Sequence, residues 1–272
     1  FTSERSLPPE VLANIEAKYG LDKPIGVQYL TYLGNLVQGD LGPSFKYKDF
    51  TVNDLVSQAL PVSAKIGSFA FLFAVTLGVT FGTIAALKQN TVIDYLLMSS
   101  AMAGVVIPGF VLAPLLVLLF SIHLGWFPAG GWQGGGVQFM VLPVFGMMMY
   151  YISAISRIMR GSMIETMNSN FIRTARAKGL PLRHIILKHA LRPAMLPVVS
   201  YLGPAFVGII TGSVVIETIF GLPGIGQLFV NGALNRDYSM VLGLTILVGA
   251  LTITFNAVVD ILYAFIDPKI RY

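Results

Sequence analysis

Apolar positions along this chain gather into long blocks beyond residue 60. Five stretches are apolar almost throughout: Ala64–Leu87, Tyr95–Phe120, Val137–Ile155, Ala194–Ile216 and Val241–Ile266. Each is about as long as the ~20 residues a helix needs to cross a hydrocarbon core of ~30 Å. The pattern predicts an all-α, polytopic membrane helix bundle with five spans. Pro108 and Pro114 remove backbone donors from the second span, so it should bend, or open where protein or a water-filled path can satisfy the freed carbonyls. Gly78 with Gly82, and Gly208 with Gly212, have the small-xxx-small spacing that lets helices approach closely, and they read as packing positions.

Residues 1–60 are of mixed character and hold no run long enough to cross a bilayer. Pro8 and Pro9 open a helical pattern with Leu12, Ile15 and Tyr19 on one face, and Pro24 opens another with Leu30, Leu33 and Val37 aligned before Gly39. Leu12, Ile15, Leu30 and Leu33 are expected to pack among these helices and onto the membrane domain. Gly39–Ser44 reads as a turn, and Thr51 with Asp54 predicts the start of a third short helix. The chain begins with Phe and shows no signal peptide, so a sixth, N-terminal span is expected to precede Phe1.

Composition agrees with a membrane protein: 55% of residues are apolar, 11% are charged, and mean hydropathy is +0.74. The net charge of +5 matters through its placement. Lys88, eight basic residues from Arg157 to Arg192, Lys269 and Arg271 fall on one side, opposed there by Asp94, Glu165 and Asp267. The other side has seven basic residues against nine acids, so the first side is read as cytoplasmic, which puts the C-terminus there and residues 1–60 outside. Asp260 reads as the only acid well inside a span, with a structural hydrogen bond and a functional site weighed equally. Trp126 and Trp132, among glycines, read as interfacial anchors in a flexible outer turn.

Enzyme chemistry finds little support. Cysteine is absent, which removes disulfides and thiolates. His123, His184 and His189 lie on opposite sides of the membrane, and no nucleophile elbow, paired carboxylates or phosphate-binding G-x-x-x-x-G-K-[ST] loop occurs. No metal site or resident cofactor is expected in this chain.

The stretch between the third and fourth spans is informative. From Asn168 to Pro193 it carries Arg173, Arg176, Lys178, Arg183, Lys188 and Arg192 with no acid. Asn168 or Asn170 can cap a helix over Phe171–Ala177, Gly179 occupies the left-handed stop position, and Pro181 suits the first turn of a second helix. Leu182, Ile185, Ile186 and His189 then share one face. The small residues Thr174, Ala175 and Ala177, flanked by Phe171 and Leu180 and rimmed by arginines, suit a helix laid into a groove on a partner. Composition by itself also allows a basic loop that only fixes topology.

The order of residues goes further. RTARAKGLPLRHIILKHALRPAMLP resembles the "EAA" loop of ABC importer permeases, in the form of the peptide-transport branch. Arg173 stands where the broader pattern has Glu, and Arg192 where it often has Pro. In the outer loop, ETIFGLPGIGQLFVNGALNRDYSM from Glu217 to Met240, the glycines and Pro223 force a compact turn before a short re-entrant or surface helix over Gln227–Leu234. This loop resembles the last external loop of the peptide permeases, as GDLG at 39–42 and the terminal DPKIRY resemble other parts of them.

The whole is similar to B-type permease subunits of bacterial oligopeptide and dipeptide ABC importers, a type I fold. The resemblance implies an inner-membrane transport subunit for oligopeptides. It also implies a homologous second permease, two cytoplasmic ATPases that carry ATP and Mg, and an external peptide-binding protein. It further implies ATPase coupling through Phe171, Ile172, Arg173, Thr174, Ala175, Arg176, Ala177, Lys178 and Gly179. External docking or gating would fall to Glu217, Pro223, Gly224, Gly226, Arg236 and Asp237. The corresponding segments are an external helical part at 1–60, a membrane domain at 61–266 with a coupling loop at 157–193 and an outer loop at 217–240, and a cytoplasmic tail at 267–272. An ion-coupled secondary transporter or channel is the alternative; it would require buried coupling carboxylates or an inverted repeat.

Overall fold

The computed structural model describes residues 20, 22–47, 49–211 and 214–266, with side chains followed to residue 261. The expected helix with Leu12, Ile15 and Tyr19, Gly212 and the tail after Ile266 lie outside the described residues. Helix α1 is Ile25–Val37, opening after Pro24 as its sequence predicts. Its apolar face is only partly covered, with Leu33 half-buried. Leu30 is 68% and Val37 90% exposed, so the expected packing of Leu30 onto the membrane domain does not form.

Helix α2 is Val52–Leu87, 36 residues that at about 1.5 Å each reach about 54 Å. Thr51 and Asp54 build a reciprocal cap, the Thr51 hydroxyl accepting from the Asp54 N–H and the Asp54 carboxylate from the Thr51 N–H. That cap starts the long helix itself, which corrects the separate short helix. Pro61 interrupts no packing because it lies on the exposed side of α2, between the buried Ala59 and Val62.

The second span is broken. Helix α3, Val92–Val106, and helix α4, Gly109–Leu116 continued by a π-turn at Val117–His123, meet at a bend of 105°. Of the two expected interruptions, Pro108 makes the break and Pro114 is carried inside α4. Helix α5 is Val137–Met167 and continues past the predicted end at Ile155, with Met159 and Met163 fully buried. It lies along α2 at backbone distance: a Cβ on Gly82 would meet the Ser156 carbonyl oxygen at 2.5 Å, and one on Gly78 would meet Ile155 at 2.8 Å.

After α5 come α6, Asn170–Ala177; α7, Leu182–His184; a π-turn at Ile185–Ala190; α8, Leu191–Ala194; and α9, Leu196–Ile210. Helices α10, Val214–Ile219, α11, Ile225–Leu234, and α12, Tyr238–Ile266, complete the chain. Phe206 of α9 stacks edge-on between Phe71 of α2 and Phe255 of α12, with ring centroids 4.9 and 4.4 Å away. Among the described residues, four helices are long and apolar enough to cross a membrane, or five with the bent pair counted as one span.

Three apolar cores run through the bundle. One surrounds Ile66, Met140 and Phe220, one surrounds Met159, Ile172 and Ile185 at the basic end, and one surrounds Val52, Ile225 and Leu244 at the opposite end. The buried acids differ from expectation. Asp94 and Glu217 lie inside spanning helices and are 1% exposed, whereas Asp260 is exposed beside Ser200 and Asn256.

Candidate functional site: a basic elbow and a tethered outer loop

At the basic end, α5 stops at Met167 and α6 leaves it as a separate two-turn helix. Ser169, not Asn168 or Asn170, occupies the N-cap position. Ile172 is 0% exposed and Ala175 7%, three residues apart on one face and embedded with Met163, Ile185 and Ala190. Phe171, Arg173, Thr174, Arg176, Ala177 and Lys178 are exposed. Of the nine residues singled out in the sequence, two therefore hold the helix to its own bundle. Ala175, read as a small residue for close approach to a partner, and Leu180, read as a flank, both pack inward.

Gly179 ends the helix at φ +75°, where only the absence of a Cβ is free of strain, and its N–H donates to the Arg176 carbonyl. The chain then turns through Pro181 into α7. Ile185 is buried on the next face, but Leu182 is 57% exposed, so the predicted four-residue apolar face holds without its first member. The elbow is thus fixed at its root and cationic on its outer surface.

An ion pair braces the same end. Arg160 of α5 donates from Nε and Nη2 to the two oxygens of Asp94, at 2.7 and 2.6 Å, and the Asn90 N–H donates to that carboxylate at 2.9 Å. This bidentate pair joins the start of α3 to α5 just before the elbow. Its partners are 66 positions apart, and only a charge tally registered Asp94 in the sequence.

At the opposite end, Glu217 organises the outer loop. Its Oε1 accepts from the Ser63 hydroxyl of α2 at 2.6 Å, and its Oε2 accepts from the N–H groups of Gly226 at 2.7 Å and Gln227 at 3.2 Å. Ser63 Oγ in turn accepts from the Ile225 N–H at 2.8 Å. A carboxylate and a hydroxyl thereby cap the start of α11, which needs such acceptors. A Cβ on Gly224 would lie 2.5 Å from Glu217 and from Ser63, so this close approach requires glycine.

Asp237 is the second tether. It accepts from the Ser44 hydroxyl, from the N–H groups of Phe45 at 3.1 Å and Lys46 at 3.3 Å, and from the Met240 N–H at 3.1 Å. It ties the segment after α1 to the start of α12. Pro223 and Arg236 are exposed, while Glu217, Gly224, Gly226 and Asp237 are buried. The structure thus gathers the six outer residues into one loop but places four of them inside it. Ser63 and Ser44 had no sequence signal, because each meets its acid across more than 150 positions.

The helices and these two ends form a polytopic helix bundle. Two solved structures share it: the inward-facing MetNI methionine ABC transporter at TM-score 0.64 and 14% identity, covering 78% of this chain and 96% of that one, and an amino acid ABC transporter with histidines at TM-score 0.61 and 15% identity, covering 78% and 94%. Residues 78–272 match the family described as binding-protein-dependent transport system inner membrane component, and the chain belongs to that family. Over 272 residues it is 69% identical to the oligopeptide transport system permease protein OppB of Haemophilus influenzae and 71% identical to that of Escherichia coli strain K12. Each alignment covers 100% of this chain and 89% of the relative. The dipeptide transport system permease protein DppB of Bacillus subtilis is 41% identical over 271 residues, covering 100% of this chain and 87% of that protein.

Proposed function

We propose that this chain is the permease subunit of an ATP-driven importer that moves oligopeptides across the bacterial inner membrane. The full-length likeness to oligopeptide permeases supports the substrate class. The elbow supports the coupling, and it is the observation that carries the mechanism: Ile172 and Ala175 lock α6 into the bundle while Phe171, Arg173, Arg176 and Lys178 face outward. A helix held this way transmits a push into α5 and α9 without folding back. The partner that pushes is an ATPase subunit, one of two, which bind ATP and Mg; a homologous second permease completes the path.

The basic end is cytoplasmic in this reading, with the C-terminus on that side. Closure of the ATPase dimer on α6 rocks the spans from inward-open to outward-open. Moving such an equilibrium from 1:99 to 99:1 takes about 5.5 kcal/mol of differential binding. An external peptide-binding protein docks over the outer loop, where Pro223 and Arg236 offer exposed contacts and Glu217, Gly224, Gly226 and Asp237 keep the loop in shape.

Gly179 provides the test. A Cβ there meets nothing within 4 Å in this chain, so substitution acts through the φ of +75° and through whatever lies outside. In the reconstituted complex, Gly179→Asn, which tolerates the left-handed region, should keep uptake close to the parent. Gly179→Trp should lower peptide uptake per ATP hydrolysed. Equal coupling ratios for Gly179→Trp and the parent would count against α6 as the ATPase contact.

A further inference from the structure

The break that Pro108 makes in the second span opens onto a cavity. Between α3 and α4 the chain opens a cavity of about 500 Å³, within the range of small-ligand sites of roughly 300–1,000 Å³. It is walled by the break at Ile107–Gly109, by Phe110, and by Tyr150 and Tyr151 of α5. These tyrosines stand within two residues of the midpoint of α5, so the cavity sits deep in the bundle.

Two features set this wall apart from an ordinary packing defect. Pro108 has no N–H to offer the Gly104 carbonyl, and among the described residues no backbone N–H donates to the carbonyls of Gly104, Val105, Val106 or Ile107. The N–H groups of Gly109 and Phe110 have no backbone acceptor either. Val105, Val106, Pro108, Gly109 and Phe110 are all exposed, as is Tyr150. Lipid cannot satisfy open amide groups, so non-helical backbone at this depth must line a path or meet another polar chain. The surrounding side chains are uncharged.

We infer that the break at Ile107–Gly109, with Tyr150 opposite, is a subsite for the main chain of the transported peptide. The inference rests on the peptide-transport reading above and adds where, and by what chemistry, this chain touches its cargo. Peptide bonds bring both N–H and C=O groups whatever their side chains, and the open carbonyls and amides of the break complement both. Neutral apolar walls and two hydroxyls then accept varied side chains without selecting a charge. A transporter built this way is tolerant of sequence yet strict about carrying a backbone.

The assembled transporter in proteoliposomes, with ATP and the binding protein, is irradiated during turnover on peptides bearing a benzophenone side chain, and adducts are mapped by mass spectrometry. Adducts are expected at 105–110 and at Tyr150, at similar yield whether the other side chains are acidic, basic or apolar. Adducts elsewhere only, or adducts whose position follows side-chain charge, overturn the subsite. Gly109→Trp gives an independent reading, because Gly109 lines the cavity and a Cβ there meets nothing within 4 Å. Uptake by the assembled variant should fall to background, and uptake equal to the parent overturns the proposal. A parent complex that transports peptide without adducts at the break removes this inference alone. A parent that takes up no peptide removes the transport reading and this inference with it.

Discussion

Replacing Glu217 by Ala should release the outer loop while leaving the spans in place. The carboxylate accepts three bonds, and the two short ones, from Ser63 and Gly226 at 2.6 and 2.7 Å, dominate over the 3.2 Å bond from Gln227. Hydrogen bonds to a charged group contribute about 1.5–3 kcal/mol each, so the two strong ones at the low end sum to about 3 kcal/mol. The loss falls on the packing of α11, because Ser63 and the start of α11 are buried and their donors have no water to turn to. Amide hydrogen exchange reads this directly, since the Gly226 and Gln227 N–H groups are themselves the donors. At about 1.4 kcal/mol per tenfold, exchange over residues 222–230 should speed up by roughly a hundredfold or more in the Ala variant. Glu217→Gln keeps one accepting oxygen and turns its amide toward Ser63, so its cost should be about 1 kcal/mol and the acceleration roughly fivefold. If the Ala variant exchanges within about threefold of the parent, the carboxylate is not what holds the loop.

The basic end makes a parallel expectation: Arg160→Ala strands the buried Asp94 carboxylate and should destabilise the purified complex by about 3–5 kcal/mol, whereas Asp94→Asn together with Arg160→Gln should cost less, as a detergent thermal-unfolding series would register. Gly82→Ala brings a Cβ to 2.5 Å from the Ser156 carbonyl oxygen and 2.7 Å from Met159 Cβ, so α2 and α5 must separate at a cost of about 1–3 kcal/mol. Gly161→Ala in the same helix pair meets nothing within 4 Å and should be neutral or stabilising by about 0.5–1 kcal/mol.

The parts of this structure that depend on chain-local chemistry were legible in the sequence. Hydropathy located the four long apolar helices and the bent pair, Pro108 marked the break, and Gly179 marked the end of the elbow helix at positive φ. The cap at Thr51 and Asp54 was legible too, but the length of the helix it opens was not. Pro61 and the polar residues around it look like a boundary until the fold turns Pro61 to the outside and buries Val62 and Ser63. The same limit applies to α1, where Leu30 and Leu33 were both expected to pack but the fold leaves Leu30 exposed and Leu33 only half-buried. Pairings across the bundle carried no local signal. Asp94 with Arg160, Ser63 with Glu217 and Ser44 with Asp237 are each created by helices meeting far along the chain, so acids that looked like loop charge are interior braces. Asp260, which hydropathy made conspicuous, lies instead on an exposed face of α12.

The central claim is that α6 is gripped by an ATPase through its outward face. Because this chain has no cysteine, a cysteine placed at Phe171, Thr174 or Ile172 is the only thiol this chain brings to the assembled complex. A short reagent with one thiol-reactive and one amine-reactive end should join positions 171 and 174 to lysines of the ATPase subunit and leave 172, buried in its own bundle, unreacted. Positions 171 and 174 that stay free of ATPase adducts, in a complex that still hydrolyses ATP and takes up peptide, would contradict the account.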